Sequence, residues 1–216
     1  MPQEILRTLD EQIRPEHTAL LVIDPQNDFC SQDGAVVRLM DWDVTRIHAA
    51  VQRLNLFIDW AREKQLPIVW TRSIVAPDRA RPSFMARSFM ENAKAKSLDL
   101  VKEGVEGSDW YSDVTKPLPN EHVITKYHYD AFEDTNLDIL LSSLGIKTLL
   151  LTGFITNVCV ETCARHAYIK GYYVVVVSDC TDAATEQEYE STLFNVKTYF
   201  GKVATSEEIN KVWAGP

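Results

Sequence analysis

Residues 147–163 read KTLLLTGFITNVCVETC. The run Thr148–Gly153 is short and apolar nearly throughout, which reads as a strand buried on both faces of a parallel sheet. Gly153 closes it. Thr156 and Asn157 turn the chain polar, Cys159 follows, and a helical pattern runs from Val158 to Lys170. A buried strand delivered straight into a helix is half of a β–α unit, and that reading sets the fold class. It leaves three readings of Cys159: a buried structural thiol, half of a redox or metal pair with Cys163, or a nucleophile.

The same alternation extends outward. Strand-like runs are ALLVID (19–24), PIVWTR (67–72), HVITK (122–126) and YVVVVSD (173–179), with VKTYF (196–200) as a sixth. Helical spacing separates them. Between Val44 and Lys64 the apolar residues fall at Ile47, Val51, Leu54, Ile58 and Ala61. Thr135–Leu144, Glu186–Asn195 and Glu207–Val212 are further helices. The pattern predicts an α/β fold of three layers, α/β/α, with a mostly parallel six-stranded, Rossmann-like sheet and right-handed crossovers. Residues 74–120 break the rhythm with proline, arginine, aromatic and acidic residues. This excursion is expected to cover the pocket or to make an oligomer contact, with SFMARSFMENAKAKSL (83–98) as a helix over the sheet edge. Nothing divides the chain, so residues 1–216 are read as one domain.

The 216 residues carry a formal net charge of −9 and 45% hydrophobic residues. That balance suits one globular core without disulfide staples. It argues against nucleic acid and against anionic membrane surfaces as partners. The acidic N-terminus MPQEILRTLDEQIRPEH lacks the apolar stretch of a signal peptide, and no run approaches the length of a membrane span. Four cysteines in such a chain read as reduced thiols, and a cytoplasmic setting is expected.

Polar residues stand at strand ends. ALLVID ends in Asp24, HVITK in Lys126, and TLLLTG leads through a short turn to Cys159. In a parallel sheet, strand C-termini share one edge and ligands bind in the crevice there, so the three can converge. Each also has a plainer reading, as a helix cap, a solvated lysine or an inert buried thiol. Together they suit acyl transfer from an amide to water. Helix N–H groups and a neighbouring ammonium are expected to favour the Cys159 thiolate. Asp24 accepts the thiol proton and passes it to a leaving amine. Free N–H groups at the strand-to-helix turn supply an oxyanion site.

The stretches TALLVIDPQNDF and ITKYHYDAFEDTNLDILLSSLGIKTLLLTGFITNVCVETCARHAYIKGYYVVVVSDCTDA resemble the isochorismatase-like cysteine hydrolase superfamily over about residues 18–74 and 120–205. The resemblance implies a catalytic triad of Asp24, Lys126 and Cys159. It implies a cis peptide at Phe154–Ile155, with the N–H groups of Ile155 and Cys159 as oxyanion hole, and a homo-oligomer, dimer or tetramer. The T-N-V-C-V-E wording looks most like the branch acting on ureido and carbamoyl compounds, which includes biuret and triuret hydrolases, ureidoacrylate amidohydrolase and N-carbamoylsarcosine amidase. The D-x-H metal motif of nicotinamidases has no counterpart in IVWTRSIVAPDRARPSF. His17, His48, His122, His128 and His166 show no ligand spacing, so neither a metal nor another cofactor is expected.

Candidate substrate contacts are Phe29, a pocket wall or core residue, and Arg72, a carboxylate or carbonyl reader or a surface ion pair. Tyr127, Tyr129 and Phe132 follow Lys126, and Gln187 and the Tyr199–Phe200 region are further candidates. Asn157 and Glu161 flank the nucleophile. Both are weighted toward structural roles, Glu161 by pairing with a cation such as Arg165. Cys163, four residues beyond Cys159, lacks partners for a metal site and the spacing of a C-x-x-C redox pair. It reads as packing, as do Cys30 and Cys180. The expected reaction is cleavage of a small ureide or carboxamide, biuret or triuret first, then ureidoacrylate or N-carbamoyl amino acids. The alternatives are vinyl-ether hydrolysis of an isochorismate-like acid and a non-catalytic redox or binding module.

Overall fold

A computed structural model describes residues 5–215 apart from positions 77 and 80. Six strands form one sheet: β1 Thr18–Ile23, β2 Ile68–Ser73, β3 His122–Lys126, β4 Thr148–Phe154, β5 Tyr173–Asp182 and β6 Lys202–Ala204. Their order is β3-β2-β1-β4-β5-β6, and every neighbouring pair is parallel. The strand order therefore reverses between β1 and β4, where a crevice opens at the strand C-termini.

The helices are α1 Leu9–Gln12, α2 Asn27–Cys30, α3 Ala35–Met40, α4 Thr45–Glu63, α5 Pro82–Met85, α6 Ser88–Ala95, α7 Leu137–Ser143, α8 Glu161–Ile169, α9 Glu186–Asn195 and α10 Ser206–Ala214. None is long and apolar enough to cross a membrane. The alternation of side chains along each strand sorts the core into two layers. Leu20, Val22, Leu150, Val175 and Val177 face α4 and α10, meeting Ile47, Val51, Leu54, Ile58, Ile209 and Trp213. Ala19, Leu21, Ile23, Leu149, Leu151, Val174 and Val176 face α7 and α8, meeting Leu137, Leu141, Cys163, Ala164 and Ala167. This is the three-layer arrangement expected.

The sixth strand lies elsewhere than expected. Val196–Phe200 continues α9 as a wide helical turn, and the strand is Lys202–Ala204. Val196 is buried while Tyr199 is exposed, so this stretch presents one face inward as a helix does. Gly201 makes the change of direction possible, because a Cβ there would sit 2.2 Å from the Val174 carbonyl oxygen on β5.

The excursion is two short helices and extended chain, not one helix over 83–98. Arg87 is extended between α5 and α6. The motif DPQND ties this segment down. Gln26 Nε2 donates to the carbonyls of Ser73 at 3.0 Å and Ser108 at 2.8 Å, and its Oε1 accepts from Ser73 N–H at 2.7 Å. The buried Asp28 carboxylate accepts from Ala35 N–H at 2.7 Å and Val101 N–H at 2.5 Å. Asn27 Nδ2 donates to the Glu106 carbonyl at 2.8 Å. The residues following Asp24 thus lash the excursion to the end of β1.

Candidate active site

Register brings the strand ends together. Ile23 pairs with Gly153 and Thr71, and Ser73 pairs with Lys126. Gly153 is needed here: its φ is +98°, and a Cβ would lie 2.0 Å from the Ile23 carbonyl oxygen. The close approach places Asp24, itself at φ +47°, against the turn that leads to Cys159.

Asp24 and Lys126 are both fully buried, with Lys126 Nζ 2.7 Å from Asp24 Oδ2. The same ammonium lies 3.4 Å from Cys159 Sγ and donates to the carbonyls of His128 and Tyr129 at 3.0 Å each. Thr71 Oγ1–H donates to Asp24 Oδ1 at 2.7 Å and fixes the carboxylate plane. Among the described residues Oδ2 takes no donor besides its ion-pair contact, which leaves it a site for a proton. Burial by itself would lower Lys126, but the attraction of Asp24 and then of Cys159 carries it above the usual lysine value. Lys126 is therefore a fixed cation.

Burial pushes the Cys159 thiol up to about 12. Lys126 opposes that shift, and the Asp24 carboxylate adds to it. Lys126 favours the thiolate as expected, but burial outweighs it. A buried thiol beside an ion pair already neutral overall keeps its proton, because ionising it would leave a net negative charge out of water. The resting trio is thiol, carboxylate and ammonium.

The Phe154–Ile155 peptide is cis. The helix begins at Thr156, two residues earlier than expected, with a wide turn over Thr156–Val160 that continues into α8. Ile155 N–H precedes that turn and meets no acceptor among the described residues. Cys159 lies within the first turn, where helix N–H groups lack partners four residues back. Hydroxyls of Thr156 and Thr181 hydrogen-bond at 2.7 Å and hold the turn to β5.

Cys159, 5% exposed, forms the floor of a cavity of about 310 Å³. Phe29, Tyr127, Tyr129, Asn157 and Ile155 line it, as do Trp42, Ser73 and His128. The excursion supplies the opposite wall with Ile74, Val75, Phe84, Arg87, Phe89, Leu100 and Val101. Phe84 packs edge-on to Tyr129 at 5.6 Å, and Arg79 lies 4.8 Å over the Tyr127 ring. Asn157, a lining residue, has its Oδ1 buried without a hydrogen-bond partner among the described residues.

Other candidates lie elsewhere. Thr71 faces Asp24, so strand alternation turns Arg72 to the opposite side, where it pairs with Glu103 at 3.6 Å. Phe132 turns into the core between His166 and Tyr172. Gln187 is exposed on the first turn of α9, while Glu188 reaches the cavity edge and turns its carboxylate back to cap Thr185 N–H at 3.1 Å. Tyr199 and Phe200 pack with Tyr168 and Arg165 outside the cavity. Glu161 bonds Arg165, Thr192 Oγ1 at 2.5 Å and Asn195 Nδ2 at 3.2 Å, joining α8 to α9. Arg87 escaped the sequence reading, and it is the one guanidinium in the lining among the described residues. Its only signal was a cation among the aromatic residues of SFMARSFM.

The isochorismatase domain matches residues 18–208 of the chain. The chain is 34% identical over 202 residues to the ureidoacrylate amidohydrolase RutB of Enterobacter sp. (strain 638), covering 88% of this chain and 86% of that protein. It is 32% identical over 201 residues to RutB of Pantoea ananatis (strain LMG 20103), covering 88% and 80%. An isochorismatase-like hydrolase from Alkaliphilus metalliredigens matches with a TM-score of 0.75 at 26% identity, covering 91% of this chain and 99% of that one. N-carbamoylsarcosine amidase from Thermoplasma acidophilum shares the fold, with a TM-score of 0.70 at 24% identity over 90% and 99% of the two chains. The domain match over most of the chain and the relatives above 30% identity show that the chain belongs to the isochorismatase domain family.

Proposed function

We propose that this protein is a cysteine amidohydrolase that cleaves a C–N bond of a small carboxylate-bearing ureide or carbamoyl compound. The observation that carries the reading is Cys159 Sγ at the cavity floor, 3.4 Å from a lysine ammonium that is itself 2.7 Å from an otherwise unengaged carboxylate oxygen. Cys159 Sγ attacks the carbonyl carbon as its proton passes to Asp24 Oδ2. The carbonyl π electrons move to oxygen, which the N–H groups of Ile155 and Cys159 receive. As the C=O reforms, the C–N bond breaks and Asp24 returns the proton to the leaving nitrogen. Water then attacks the thioester, giving one proton to Asp24. Collapse expels Cys159, which takes that proton back. Lys126 stays charged throughout, holding Asp24 and compensating the sulfur as it gains charge.

Arg87 ranks carboxylate-bearing ureides above the neutral biuret and triuret, since a fork of donors on an apolar wall suits a carboxylate. The ureidoacrylate amidohydrolase activity of the 34% identical relative supports the same order. The testing experiment is product analysis with ureidoacrylate, N-carbamoyl amino acids, biuret and an isochorismate-like acid. Ammonia release from the acidic ureides is expected. Pyruvate release from the vinyl ether, with no ammonia from any ureide, would refute the reading.

A further inference from the structure

The function leaves Cys163 and the hydrogen-bonded pair Asp130 and His166 unexplained, and both meet at one seam. Cys159, Cys163 and His166 follow one another at spacings of four and three residues, so they share a face of the helix. Each meets the end of β3 or the segment that follows it. Cys159 Sγ faces Lys126 Nζ at 3.4 Å. Cys163 Sγ accepts from Ala131 N–H at 3.3 Å. His166 Nδ1 bonds Asp130 Oδ2, whose partner oxygen Oδ1 accepts from Phe132 N–H at 3.1 Å. Thr135 Oγ1–H closes the loop onto the Ala131 carbonyl at 2.6 Å.

We propose that Cys163 and the Asp130–His166 pair form a latch that seats the 127–131 loop on the helix bearing Cys159, and through that loop aims the Lys126 ammonium. Lys126 has four acceptors around its ammonium: Asp24 Oδ2, Cys159 Sγ and the carbonyls of His128 and Tyr129. An ammonium has only three protons, so its orientation is set by which acceptors are held in place. The loop supplies two of the four. Its register on the helix is set at Ala131 and Asp130, directly after those carbonyls. Cys163, Asp130 and His166 are not among the residues lining the cavity, so they are positioning residues.

The proposal rests on Cys159, Asp24 and Lys126 being the reacting trio, but its test needs no substrate. The rate of Cys159 alkylation by iodoacetamide, located by mass spectrometry, is measured from pH 7 to 10.5 in the full chain. With the ammonium misaimed, the thiol loses the neighbour that favours its ionisation. Asp130→Ala and His166→Ala are expected to slow alkylation at pH 9 by about fivefold to tenfold and to move the rise to higher pH. His166→Asn keeps a donor near the Nδ1 position and is expected to restore the wild-type profile. His166 is partly exposed, so its variants remain informative where Asp130→Ala does not fold. A purely structural latch would lower thermal stability and leave the profile unchanged, which overturns the proposal, as would an His166→Asn profile matching His166→Ala. Should no ureide be cleaved while the profiles move as stated, the proposed substrate fails and the latch stands.

Discussion

Lys126 Nζ meets Asp24 Oδ2 at 2.7 Å with both side chains fully buried, so each charge depends on the other. Removing one partner strands the other in the core. Lys126→Met is expected to destabilise the fold by roughly 3–5 kcal/mol, and the double change Asp24→Leu with Lys126→Met to recover much of that loss. Activity is expected to fall on the order of a thousandfold or more in both variants, since residues acting as a unit fail together. Urea unfolding beside turnover measures both, and a double variant no more stable than Lys126→Met would contradict the pairing.

The Cys159 thiol is pushed up to about 12 by burial, against Lys126 and with Asp24. Its alkylation is therefore expected to keep climbing well above pH 8.5, the ordinary thiol range, rather than to level off near neutrality. The sign for stability follows. A folded value above the unfolded one gives stability that is complete below about 8.5 and drains away as pH rises toward 12. Alkylation that reaches a plateau below pH 8 would contradict a protonated resting thiol.

Arg87 should read charge on the substrate. Arg87→Gln is expected to raise KM for a carboxylate-bearing ureide by about tenfold to a hundredfold, the loss of one hydrogen bond to a charged group, and to change biuret turnover little. Steady-state kinetics on the two substrates separate them. Equal effects on both would remove Arg87 from carboxylate recognition.

Gly153 holds β4 against the end of β1. Gly153→Ala places a methyl group 2.0 Å from the Ile23 carbonyl oxygen at φ +98°, so it is expected to cost about 3 kcal/mol or more and to abolish activity by separating Asp24 from Cys159. Thermal unfolding and turnover check it, and a variant of wild-type stability would refute the close approach.

What could be read from the chain follows from where each residue sits. The convergence of Asp24, Lys126 and Cys159 was legible because each ends a strand or opens the helix after one, and a parallel sheet gathers those ends on one edge. Arg72 misled because strand alternation turns it away from Thr71, a two-faced choice that residue type alone does not make. Phe132 misled because Asp130 and Ala131 are fastened to α8, which rotates the next side chain into the core. Arg87 was hidden because the excursion has no regular period and is held by Gln26, Asn27 and Asp28, whose bonds reach across about 50 to 80 residues. The upward push of burial on Cys159 was hidden because spacing places Lys126 beside it but gives no measure of burial.

The most direct test compares ammonia release from a carboxylate-bearing ureide by the wild-type chain, Cys159→Ser and Cys159→Ala, each shown folded by circular dichroism. The account predicts release by the wild type, at least about a thousandfold less by Cys159→Ser, and none above background by Cys159→Ala. Wild-type release by a folded Cys159→Ala would contradict it.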